Sequence, residues 1–171
     1  MNSTMIGLRL IHILAGAFWA GSLFFSAGFL IPAIGAAGPA GGAVMQQVMG
    51  VRRFPAFVGT AALLTILSGA GMYWRLSSMS AGTFARSGMG VTLGVGAIAG
   101  LITLVIAITI VSPSGAKMMK LGSAIQARGG PPTPEQGSEM AALQNRAAFG
   151  TRLGSAFMLI AVAAMAIARY V

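Results

Sequence analysis

Four long stretches free of acidic residues, at about residues 5–31, 55–74, 89–111 and 150–168, limit what this chain can fold into. Each approaches or exceeds the roughly 20 apolar residues that cross a hydrocarbon core of about 30 Å. Lipid offers no hydrogen bonds, so a spanning chain must form helices or a closed barrel. Barrel strands alternate apolar and polar residues, whereas these runs are continuously apolar. Helices follow. The rest of the composition agrees: 8% of residues are charged, against about 25% in soluble domains, and the mean hydropathy is +0.84. A water-soluble globule and a disordered chain are excluded. The expected fold is all-α, an integral membrane bundle of four transmembrane helices with short amphipathic interfacial helices, in one domain over 1–171.

The boundaries come from breakers. The first run is too long, and its start too uncharged, for a cleaved secretory signal. It is expected to stop at Pro32, and the third run before Pro113, because proline removes an N–H and disfavours helix at the residue before it. Pro55 suits the first turn of the second span. Residues 44–49 read as a short amphipathic helix, and residues 75–88 as a loop. The connection 112–149 reads as a cytoplasmic-type loop. It holds an amphipathic piece from Lys117 to Arg128, a Gly–Pro breaker at 129–134, and a solvated extension of the fourth span.

Charge sets the orientation. Eleven Lys and Arg face two acids, Glu135 and Glu139, for a formal +9. The bases flank apolar runs singly or in pairs, which argues for membrane orientation and against a nucleic-acid face. Arg52, Arg53, Lys117, Lys120, Arg128, Arg146 and Arg152 fall on one side. Arg9, Arg75, Arg86 and Arg169 fall on the other. The positive-inside rule then puts the longer connections in the cytoplasm and both termini outside, in what reads as a bacterial cytoplasmic membrane.

Chemistry has few carriers here. The chain has no cysteine, which removes disulfides, thiolate metal sites and iron–sulfur clusters. No span holds a carboxylate, which argues against an intramembrane proton relay. Small-xxx-small pairs (Gly90 and Gly94, Gly96 and Gly100, Gly150 and Gly154) suggest close helix packing. His12 is the only histidine. At helical spacing, Met5, Arg9, His12, Gly16, Trp19 and Leu23 share a stripe roughly 80° wide. An intramembrane imidazole needs a partner: an interhelical hydrogen bond to a Ser, Thr or carbonyl, or a metal or cofactor. Because His12 lies near the N-terminal side of its span, its neighbours are expected from the end of span two, the start of span three and the end of span four: Met72, Tyr73, Trp74, Arg75, Met89 and Met165. Tyr73, Trp74 and Tyr170 also fit an interfacial aromatic belt.

The segment His12-Ile-Leu-Ala-Gly-Ala-Phe-Trp19-Ala-Gly21 resembles the His-x6-Trp-x-Gly pattern in the first helix of CopD-like membrane domains. It is also similar to the matching helix of HemJ-type protoporphyrinogen oxidases. The likeness extends loosely through Arg53, through Thr65 to Gly69, and through Met165 to Tyr170. It implies a small bundle working with copper, porphyrin or haem, with His12 at the ligand position.

Three functions follow. In the first, His12 is axial ligand to haem b or a porphyrin in a redox-linked protein; Gly16 leaves space, Trp19 packs the ring, and Arg9 or Arg75 pairs a propionate. In the second, His12 joins Met72, Met89 or Met165 around copper, since thioethers favour Cu(I). In the third, the chain is a structural or accessory subunit and His12 is a packing hydrogen bond. The expected partners are the bilayer and a second copy or a larger membrane complex, with no nucleic acid.

Overall fold

The computed structural model describes residues 3–171. Its described residues form helices and turns, with no strand. Helix α1 spans Ser3–Ala36, α3 Phe54–Met79, α4 Gly88–Arg128 and α5 Pro134–Tyr170, and all four are long and apolar enough to cross a membrane. The short α2, Pro39–Gln46, continues into a π turn at Gln47–Val51 and links α1 to α3. Gly38, at φ +56°, reverses the chain between α1 and α2, a conformation that costs an L side chain energy but glycine little. The expected four-span all-α membrane bundle is observed.

The prolines do not end their helices. In α1 a π turn at Ser26–Leu30 precedes Pro32, and in α4 a π turn at Ala107–Val111 precedes Pro113 at the same spacing. Each turn shifts the ladder to i→i−5: Ile31 N–H donates to the Ser26 carbonyl, and Ser112 N–H to that of Ala107. The widened turn makes room for the pyrrolidine ring and re-pairs the backbone. Just past Pro113, Ser114 Oγ adds a 2.7 Å bond to the Ile110 carbonyl. The expected stops at Pro32 and Pro113 are therefore corrected. α1 runs on to Ala36, and the amphipathic piece 117–128 is one continuous rod with the third span. Helix α4 is about 60 Å long by its rise, twice the hydrocarbon core.

The part of α4 beyond Val111 packs against the start of α5 as a helical hairpin. Gly129, at φ +71°, closes α4, and Thr133 starts α5 with a reciprocal cap, its hydroxyl accepting from Gln136 N–H while the Gln136 side chain accepts from Thr133 N–H. Met119 reaches Gly50, its Cε 3.2 Å from where a Cβ would sit. This places α2 and the hairpin at one end of the bundle. Val171 lies against Gly88 at the opposite end.

α1 packs on α3 and α4 on α5, and α1–α5 and α3–α4 contacts close the ring. The core is made of small residues around two large ones: Ala20, Ala61, Ala62, Ala99 and Ala161 surround Trp19 and Met158. Large apolar side chains such as Leu14, Phe29 and Phe57 stay exposed. That inversion suits lipid, where helix contacts gain from close backbone approach and not from hiding leucine. Gly150 sits beneath Ile110 and Val111, and Gly96 beneath Ala161, Ala164 and Met165. Gly154 meets Thr103 and Leu23. Gly100 meets nothing within 4 Å, and Gly94 only the Tyr73 hydroxyl at 3.7 Å. Of the paired glycines, 150 and 154 form a packed face, while 94 and 100 do not.

Candidate functional site

Each seam of the ring carries one side-chain bond to a backbone carbonyl of the neighbouring helix. Thr103 Oγ1 donates to Gly154 across α4–α5 at 3.2 Å, and Ser155 Oγ to Leu23 across α5–α1 at 3.5 Å. Tyr73 donates to Gly90 across α3–α4 at 3.3 Å. The α1–α3 seam has the shortest, His12 Nδ1 to the Thr65 carbonyl at 2.8 Å. A carbonyl only accepts, so Nδ1 carries the proton. Ser68 Oγ lies 3.4 Å from the same nitrogen and donates its own hydrogen to the Leu64 carbonyl at 2.5 Å.

The Nδ1–Cε1 edge of the ring approaches α3 closely because position 69 has no side chain. A Cβ there would come within 2.8 Å of His12 Cε1. One turn away, the space above Gly16 is filled by Thr65, whose Cγ2 lies 3.4 Å from a Cβ built at Gly16. His12 is half-buried. With Nδ1 fixed as donor, the neutral ring presents Nε2 as a lone pair, and no protein group among the described residues bonds to it. The hydroxyls on the other seams are spent on carbonyls. Only the histidine retains a strong Lewis base.

The expected surroundings of His12 are corrected. On α3 it faces Thr65, Ser68 and Gly69, in the middle of the helix and short of the Met72–Arg75 end. α1 and α3 run antiparallel, with Leu8 against Gly71 and Gly16 against Thr65, so His12 meets α3 between those two contacts. Trp74 is exposed. Met72 and Met89 are half-buried, and Met165 places its Cε over Gly96 on the α4–α5 side. Trp19 is 3% exposed, locked among core alanines. Arg9 is exposed, one turn before His12. Arg75 is half-buried, and its Nε is fully enclosed without a hydrogen-bond partner. The described residues hold no group of three or more His, Cys, Asp or Glu able to take a metal ion.

Sequence reasoning identified His12 and the class of its partner, and missed which residues supply it. Thr65-Ile-Leu-Ser68-Gly69 was the available signal: two hydroxyls and a glycine on one turn of an apolar helix form a polar seat for a planar ring. Compared with protein-family models, curated proteins and solved structures, the chain matches none.

Proposed function

We propose that this membrane protein binds a haem b or porphyrin through His12 Nε2 and serves a redox-linked role. The observation that carries the proposal is the Nδ1–H bond to the Thr65 carbonyl. Ligating histidines almost always donate their other N–H to a carbonyl or carboxylate, which fixes the tautomer and raises ligand basicity. The donor set would suit a haem, which can be held through a single histidine nitrogen without a cluster of protein ligands. Arg75, half-buried toward the end of α3, and Arg9, exposed one turn from His12, are the cations that would pair the propionates. When bound, haem supplies one-electron chemistry, and the seam of α1 and α3 holds the ring nitrogen in one orientation.

The bond to Thr65 also supports a second reading, in which the chain is a structural subunit and His12 is one of four seam ties. An absorption spectrum from 350 to 700 nm, taken on protein made with haem available, separates the two. The ligand reading expects a Soret band in the wild type and its loss in His12→Ala, with helicity retained. A wild type without the band, or a variant that keeps it unchanged, leaves the packing role alone.

A further inference from the structure

On the lipid side of the α1–α3 seam lies an open groove of about 730 Å³. Ile11, Leu14, Phe18, Phe57 and Leu64 make its walls, and Arg53 is the only charged residue lining it. We infer that this groove seats an acyl chain of an anionic phospholipid whose phosphate is held by Arg53.

The dimensions fit one leaflet. From Arg53 to Leu64 the wall of α3 rises about 16 Å, close to half of a 30 Å hydrocarbon core. A lipid chain therefore reaches from the interface to the bilayer centre without leaving the groove. The volume lies within the range of roughly 300–1,000 Å³ usual for small-ligand clefts.

Charge complementarity selects the headgroup. Arg53 caps the N-terminus of α3, and the first turn of that helix holds no acid. The helix dipole thus adds positive potential where the guanidinium already sits. Arg52 is adjacent and exposed. The backbone at Arg53 adopts φ +50°, a left-handed conformation uncommon for a residue other than glycine. Glycine or asparagine would take that corner with less strain, yet an arginine occupies it. A guanidinium forms paired hydrogen bonds with phosphate oxygens, so a phosphodiester satisfies the corner and the acyl chain satisfies the groove.

The test uses the full chain in mild detergent, titrated with phosphatidylglycerol or phosphatidylcholine of identical acyl chains and read by native mass spectrometry. Phosphatidylglycerol should bind one-to-one at least tenfold more tightly. Arg53→Asn removes the guanidinium while tolerating the left-handed backbone, and should abolish that preference. Ala56→Trp, placed at an exposed groove position, should weaken both lipids. Equal binding of the two lipids by the wild type overturns the inference, as does an Arg53→Asn protein that keeps the preference. A dimer that forms through the groove and disperses in Ala56→Trp would assign the surface to a second copy, and so also overturns it. None of these readouts depends on His12.

Discussion

At the scale of single residues, Gly69 and His12 act as one unit. A methyl group at position 69 has no room beside Cε1, so Gly69→Ala must tilt the imidazole and stretch its bond to Thr65. Interhelical hydrogen bonds in membranes contribute about 0.6–2 kcal/mol, and a destabilisation of that size is expected in a denaturant titration from detergent. Gly100→Ala is the matched control. Nothing lies within 4 Å of that position, and alanine is the better helix former by roughly 1 kcal/mol, so stability should hold or rise. If haem is bound, Gly69→Ala should also shift its Soret band, and Gly100→Ala should not.

Among the elements, the hairpin built from the end of α4 and the start of α5 depends on local capping. Thr133→Ala removes the side-chain acceptor for Gln136 N–H. N-cap losses of this kind cost about 1 kcal/mol. Faster amide exchange over residues 135–140, with the spanning part of α5 unchanged, is the expected outcome. Glu135 reports on the same turn. A bond from its own backbone N–H, and then one from the Thr133 side chain, hold its carboxyl below the usual value. A depressed carboxylate contributes stability above its unfolded pKa and loses it as pH falls through the folded pKa. The cap should therefore loosen only in acid, below the ordinary glutamate range, and Thr133→Ala should move the Glu135 titration upward. Carbon-detected NMR of the Glu135 side chain measures both. The prolines belong to this scale as well. Their stop signals are local, but a π turn is enough to absorb them, and whether the chain uses one depends on what the continuing helix packs against.

The whole molecule is a ring of four helices with α2 and the hairpin at one end and the C-terminus at the other. Arg52, Arg53, Lys117, Lys120 and Arg128 cluster toward the hairpin end, and the positive-inside rule predicts a cytoplasmic location for that end. Cysteines introduced singly at Ser123 and Ser80 test this, since the natural chain has none. Ser80 variants should react with an impermeant maleimide on intact cells, and Ser123 variants only after lysis. The reverse pattern would invert the topology and move the Arg53 groove to the outer leaflet.

The amino-acid sequence alone determined the helical class, the number of spans, the helical character of the two amphipathic segments and the class of group that His12 bonds. Run length, charge placement and period are local properties, readable without knowing what faces what. The tertiary structure decided the partner of His12, the side of α4 on which glycines matter, and the fate of Pro32 and Pro113. Those depend on the register between helices distant in sequence: Leu8 against Gly71 and Gly16 against Thr65 bring the imidazole onto the Thr65–Gly69 seat. Hydropathy cannot encode such a register, because lipid rewards every register of an apolar helix alike. The choice is made by steric fit and a single hydrogen bond: a ring on a glycine, and an N–H aimed at one carbonyl.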